Sequence, residues 1–132
     1  MFETLSKAAL PANRTLEVVY KAPVELTPDP RNDSVLIDIN GTHVPRPDAK
    51  VSVFDSGFML GDGVWEGIRV HKRRMAFLKE HLDRLWEGAK AIAMDIGISR
   101  EEMVTRLYDT IEANDMDSCH IRLMVTRGVR ST

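Results

Sequence analysis

The stretch Val64-Trp65-Glu66-Gly67-Ile68-Arg69-Val70 decides how the chain is read. Val64, Ile68 and Val70 recur with a period of two, which predicts a strand with these residues on one face and Glu66 among them. Trp65, Gly67, Arg69 and His71 fall on the other face. The charged run His71-Lys72-Arg73-Arg74 reads as a turn, and residues 75–77 as the returning strand. The period then changes. Leu78, Leu82, Leu85, Trp86, Ala89, Ala93 and Ile96 lie three or four apart, the stripe of a helix that Gly97 is expected to stop. Ser99, with Glu102 three residues on, has the spacing of a capping box for a second helix. That helix has the stripe Val104, Leu107, Tyr108 and Ile111 and ends near Asn114. Residues 120–126 alternate again, with Cys119, Ile121, Leu123 and Val125 toward the core and His120, Arg122, Met124 and Thr126 away from it.

On the N-terminal side, residues 35–39 and 42–44 flank Asn40-Gly41, a pair that favours a type I′ hairpin because both positions need positive φ. Residues 50–54 read as a further short strand, and 57–63 as a glycine-rich loop. Strands, two helices and a strand give an α+β fold, a mostly antiparallel sheet with two helices packed on one face. The 132 residues suit one ordinary domain. Its expected span is 35–132, because residues 1–34 hold Pro11, Pro23, Pro28 and Pro30, four of the six prolines, and read as a loosely tied extension with a candidate edge strand at 16–21.

Composition excludes several function classes. Eighteen Lys and Arg against 20 Asp and Glu leave a net charge of −2, which argues against a nucleic-acid binder. Cys119 is the one cysteine, so there is no internal disulfide and no Cys-based zinc site. His43, His71, His81 and His120 lack metal-ligand spacing, and no metal site is expected. No apolar run approaches the ~20 residues that span a bilayer. Residues 1–10 have no continuous apolar stretch of the kind a secretory signal needs, so a cytoplasmic protein without a membrane partner is expected.

Five places could hold chemistry. Gly61-Asp62-Gly63 with Gly67 suggests a dinucleotide fingerprint, but the third glycine would fall at Glu66 and the segment opens a strand rather than a helix. The face with Trp65, Gly67 and Arg69 offers an aromatic wall, a missing side chain and a cation, which suits a ligand; equally, it suits an exposed face with a glycine needed for a bulge. Glu66 on the apolar face requires a buried partner and is a candidate brace for the glycine loop. Arg84 is open to two readings, a surface pair with Glu80 or an anion-binding group on a rigid helix, and Arg122 to two more, a carboxylate fork or a surface residue.

Together these residues resemble the N-terminal part of the class IV pyridoxal-phosphate aminotransferases, a family that includes branched-chain and D-amino-acid aminotransferases and aminodeoxychorismate lyases. The resemblance runs through Val51-Ser52-Val53-Phe54-Asp55-Ser56-Gly57 and Leu60-Gly61-Asp62-Gly63-Val64-Trp65-Glu66-Gly67-Ile68-Arg69. It continues through Phe77, His81-Leu82-Asp83-Arg84-Leu85 and Ile121-Arg122-Leu123-Met124-Val125-Thr126-Arg127-Gly128. It implies that Arg84 binds the phosphate of pyridoxal 5′-phosphate, that Trp65 and Gly67 line the substrate pocket, and that Arg122 helps hold the acidic co-substrate. The family's catalytic lysine, which forms the Schiff base, is expected beyond Thr132 in a C-terminal domain, and Lys50, Lys72, Lys79 and Lys90 do not match its position.

The implied function is transamination between an amino acid and a 2-oxo acid, in a homodimer of the full-length protein. Glu66-Gly67-Ile68-Arg69 and Arg122 resemble branched-chain enzymes, whereas Phe58 to Gly63, with Leu60 in place of Tyr, resembles D-amino-acid enzymes. A branched-chain L-amino acid is favoured. The alternatives are a D-amino-acid aminotransferase, an aminodeoxychorismate lyase, or a stand-alone interaction domain without catalysis. Alone, this stretch is expected to be inactive.

Overall fold

The computed structural model describes residues 29–131. The first strands form a hairpin, β1 (Leu36–Ile39) and β2 (Thr42–Pro45). Its turn residues Asn40 and Gly41 have φ of 56° and 85°, as a type I′ turn demands. Among the described residues the strands form two sheets rather than the predicted one, and this hairpin stands apart from the other described strands. The reason lies at its outer edge. The Asn114 side chain accepts a hydrogen bond from the Leu36 amide (2.8 Å) and donates one to the Leu36 carbonyl (3.0 Å). An amide side chain thus occupies the position of a neighbouring strand, satisfying backbone groups that would otherwise seek one.

Residues 50–54 do not form the expected strand. They lack a pairing partner among the described residues, and only Asp55 makes a single bridge, to Val129. The chain then enters a short helix, α1 (Ser56–Leu60), where the sequence pattern predicts loop. Asp55 caps it by accepting from the Gly57 amide at 2.8 Å, and Gly61 at φ 67° closes it in the left-handed conformation.

The main sheet has the order β4–β3–β5, antiparallel throughout, built from β3 (Gly63–His71), β4 (Arg74–Met75) and β5 (Ser118–Thr126). The β3–β4 turn places Lys72 and Arg73 at φ of 49° and 59°, a conformation costly for residues with a Cβ. Arg73 holds it in place: its amide donates to the Asp117 carbonyl and its Nε to the Asp117 carboxylate, both at 2.9 Å. Its guanidinium also pairs with Asp115. The returning strand is shorter than expected because Phe77 turns to φ 51° and starts the next helix.

The helices α2 (Leu78–Ala91) and α3 (Arg100–Ala113) cover one face of this sheet. α2 stops well before Gly97. Ala93 takes φ 50° and donates to the Lys90 carbonyl, and Met94 donates to the Ala89 carbonyl at 2.8 Å, the two bonds of a Schellman motif with alanine in glycine's usual place. Ser99 caps α3 as predicted, accepting from the Glu102 amide at 3.1 Å, but the Glu102 side chain pairs with Arg106 instead of completing the box.

The core joins Ile68 and Val70 of β3 and Met75 of β4 to Leu82 and Leu85 of α2 and Met103, Leu107 and Ile111 of α3. Met103 takes the place expected of Tyr108, which is exposed. Cys119, Ile121, Leu123 and Val125 pack against this cluster from β5, on the side the alternation predicts. No helix among the described residues is long and apolar enough to cross a membrane.

Asn114 is the only side chain tying β1 to the end of α3 through paired hydrogen bonds among the described residues. Asn114→Ala is expected to cost about 1–3 kcal/mol in urea unfolding, because it leaves partly buried backbone groups unpaired. Hydrogen exchange at the Leu36 amide should accelerate in the same variant; unchanged exchange would contradict this account of the hairpin.

Candidate functional site

The glycine segment is shaped by its contact with the end of β5. Ser56 is fully buried, and its amide and hydroxyl both donate to the Gly128 carbonyl at 2.9 Å. Thr126 Oγ1 donates to Asp55 at 2.9 Å. A Cβ on Gly57 would fall 2.3 Å from Thr126 Cγ2, and one on Gly63 would fall 2.7 Å from the Val125 carbonyl oxygen. These two glycines therefore admit neighbouring chain.

Arg127, to which no role attaches in the sequence reading, fixes the same region. Its Nε donates to Asp62 at 2.7 Å, and its Nη2 and Nη1 donate to the Ile92 and Ala93 carbonyls at 2.8 and 3.0 Å. One guanidinium thus joins the glycine segment to the C-terminal end of α2, where carbonyls attract a cation. The pairing holds the Asp62 carboxyl below its usual range.

The open face of the sheet carries three of the four expected site residues. In the β3–β5 register Trp65 faces Met124, Gly67 faces Arg122 and Arg69 faces His120. The Arg122 guanidinium lies 3.9 Å from the centre of the Trp65 ring, a cation–π contact. The register runs one-to-one from Gly63 to His71, so Gly67 is not at a bulge. The space above it is bounded by His120, whose Nε2 would lie 3.0 Å from a Cβ at that position. His120 is not among the expected site residues; its place beside Gly67 follows from its position two residues before Arg122 on β5. Trp65 is 55% exposed and Met124 60%, so this face presents an apolar surface on which the Trp65 ring fixes the Arg122 cation.

Arg84 lies on the other side. Glu66 points from β3 toward α2 and is only 3% exposed. It accepts from Arg84 Nε at 2.7 Å and from Arg84 Nη2, in a side-on fork, and lies 2.7 Å from His81 Nδ1. The expected brace of the glycine loop is instead a brace of α2, and Arg84 pairs with Glu66 rather than with Glu80. The cause is geometric: a carboxylate on the core face of β3 meets the helix packed there, and positions 81 and 84 share one side of that helix. The Arg84 hydrogen bond holds the Glu66 carboxyl below the ordinary range, against the opposing effect of burial and with the further help of His81. Glu66 is thus an ionised acceptor near neutrality, unsuited to hold a proton. The Arg84 side chain remains 68% exposed, and its Nη1 has no hydrogen bond among the described residues.

A family model described as amino-transferase class IV matches residues 63–132. The chain belongs to the class IV aminotransferases. A putative branched-chain-amino-acid aminotransferase of Methanocaldococcus jannaschii is 48% identical over 93 residues, 70% of this chain and 32% of that protein. A D-alanine aminotransferase of Listeria monocytogenes is 36% identical over 93 residues, with coverage of 70% and 32%. The T.th. branched-chain amino acid aminotransferase, solved in complex with N-(5'-phosphopyridoxyl)-L-glutamate, superposes with a TM-score of 0.68 at 32% identity, over 74% of this chain and 34% of that one. The chain therefore spans about a third of the length of these three proteins. Within this class IV chain, the α+β architecture expected from the hydrophobic periods agrees with that of the solved relative.

Two outcomes are expected from substitutions in this region. Gly63→Ala forces a Cβ against the β5 backbone and should cost about 1–3 kcal/mol by urea denaturation, as overpacking does. The second concerns pH. Because the folded Glu66 carboxyl titrates below its ordinary 4.5, its contribution to stability is complete above that value and is lost as pH falls through the folded value. Glu66→Gln should remove about 1.5–3 kcal/mol at neutral pH, the range for hydrogen bonds to charged groups. It should also flatten the acid limb of stability against pH; an unchanged acid limb would show that another carboxyl dominates it.

Proposed function

We propose that residues 35–132 form the small N-terminal domain of a pyridoxal 5′-phosphate-dependent aminotransferase, with 1–34 as an extension and the catalytic lysine in a further domain beyond Thr132. The observation that carries this reading is the Arg84 guanidinium, exposed on a rigid helix and held by a buried carboxylate. The residues fit the cofactor's phosphate. A planar, permanently charged donor with unused N–H groups suits a phosphate dianion, and Glu66 already occupies the adjoining Nε/Nη2 edge.

The cofactor, once bound, supplies an electron sink that lets the amino-acid α-carbon lose and regain a proton. The chain's own residues bind and orient. Arg84 neutralises and positions the phosphate. Trp65 gives an apolar wall for the substrate side chain, Gly67 leaves room beside it, and Arg122, aligned by its contact with Trp65, takes the carboxylate of the acidic 2-oxo acid. Arg122 keeps its guanidinium edge available while its face rests on the indole, so binding costs it little rotamer freedom. The favoured substrate is a branched-chain L-amino acid, supported by the Glu66-Gly67-Ile68-Arg69 run and by the name of the Methanocaldococcus relative. A D-amino acid is the second reading, supported by Leu60 and by the Listeria relative. A cytoplasmic homodimer accompanies either. The reading also accounts for Val51, Val53, Phe54, Phe58 and Val129, apolar side chains half or more exposed, as surface to be covered in the longer protein.

The test is to express the full-length gene product and add pyridoxal 5′-phosphate. A visible absorption band from lysine-bound cofactor is expected, and its absence would overturn the proposal. Transfer from L-leucine to 2-oxoglutarate should show a higher kcat/KM than transfer from D-alanine; the reverse order would select the second reading. Arg84→Ala should weaken cofactor binding about 10- to 100-fold, the loss of a charge-assisted fork.

A further inference from the structure

We infer that Glu66 is a positioning residue that presets Arg84 for an incoming phosphate, with His81 as the second clamp on the same carboxylate. The inference rests on the proposed role of Arg84 and adds to it the group that aims it. An arginine side chain on a helix surface carries about 2 kcal/mol of rotamer entropy, which an anion must otherwise quench on binding. Here that cost is met in the folded chain. Glu66 engages Nε and Nη2, one edge of the planar guanidinium. On the adjoining edge Nη1 makes no hydrogen bond among the described residues, and Nη2 lies 3.4 Å from His81 Nδ1, which bears a proton toward Glu66 and does not accept, so Nη1 and the second N–H of Nη2 stay as two parallel donors, the pattern that a phosphate accepts.

Glu66 is itself held firmly enough to act this way. A carboxylate only accepts, so the 2.7 Å contact with His81 Nδ1 places the proton on that nitrogen. Glu66 therefore accepts three hydrogen bonds, two from Arg84 and one from His81, from two residues of one helix. Its own backbone is in the central strand of the sheet. Beside the two donors α2 is anchored by Leu82 and Leu85, both buried. The asymmetry of the pair is what separates positioning from plain stabilisation. Replacing a buried ion pair by well-packed apolar side chains is often neutral for stability, so stability alone does not call for a charged pair here. In this one the carboxylate is buried while most of the Arg84 side chain faces solvent.

The test uses full-length protein and measures the Kd of pyridoxal 5′-phosphate by equilibrium dialysis for the wild type, Glu66→Gln, Arg84→Ala and the double variant. Glu66→Gln is expected to weaken binding about tenfold, the scale of one charge-assisted hydrogen bond. The same change made in the Arg84→Ala background should have no further effect, because Glu66 acts through Arg84. The Arg84 Nε–H resonance, slow to exchange in the wild type, should exchange rapidly in Glu66→Gln. Should that variant not fold, Glu66→Asp, which keeps the charge and shortens the reach, carries the same comparison with the same expected direction. If Arg84→Ala leaves the Kd unchanged, the phosphate reading itself fails and this inference falls with it. If Arg84→Ala weakens binding but the Glu66 variant does not, or binds more tightly, the phosphate reading stands and the positioning role is overturned. Equal weakening by the Glu66 variant with and without Arg84 would likewise overturn it, by showing an effect on the fold rather than on Arg84.

Discussion

A carboxylate on the core side of a sheet must be neutralised where it stands, and Glu66 is such a group. Its position on β3 is not negotiable. Shifting the register by one residue would send Val64, Ile68 and Val70 to the open face along with it, forfeiting much of the core. The donors must therefore come to the carboxylate, and they come from the helix laid over it. His81 and Arg84 supply them three residues apart, while Leu82 and Leu85 turn inward. The rotation of α2 about its own axis is thus set twice, by apolar burial and by the ion pair, and the two settings agree. Such agreement between levels is what makes a single arrangement stable against its neighbours.

A second constraint closes the other end of the sheet. Gly57 and Gly63 allow the chain to lie against Val125 and Thr126, and Arg127 ties Asp62 to the last carbonyls of α2. The end of β5, the glycine segment and the C-terminal end of α2 form one unit. The absence of a Cβ at two positions does as much here as any side chain, since a single added carbon would meet backbone or a β-branched neighbour below 3 Å.

The parts of this structure that were legible in the sequence are those governed by a local rule. Alternation on β3 and β5 told which side chains face the helices, Asn40-Gly41 announced its hairpin, and Ser99 announced the start of α3. The parts that were not legible depend on a partner distant in the chain. Residues 50–54 have the composition of a strand but find no strand to pair with among the described residues. α2 ends at Ala91 rather than near Gly97 because Ala93 accepts a left-handed conformation that Arg127, 34 residues on, helps to hold. The partner of Arg84 lies 18 residues away, on another element. Helical spacing offered Glu80 instead, and nothing local could rank the two. The candidate edge strand at 16–21 lies outside the described residues.

β3 has one further consequence for the proposed enzyme. Its period of two sends Trp65 and Gly67 to the open face and Glu66 between them to the helix face, so three consecutive residues serve both sides of the sheet. In the proposed reading the first and third border the substrate, and the second aims the group that holds the phosphate. A strand cannot move one of these side chains along its axis without moving the others, because pairing with β5 is continuous on both sides of them. The offset between the substrate wall and the carboxylate that aims the phosphate anchor is then fixed by the β3 backbone, the stiffest ruler a small domain possesses, and Arg84 is referred to it through its fork with Glu66. That stiffness is what a reaction needs when one end of a bound molecule is gripped and chemistry is to occur at the other.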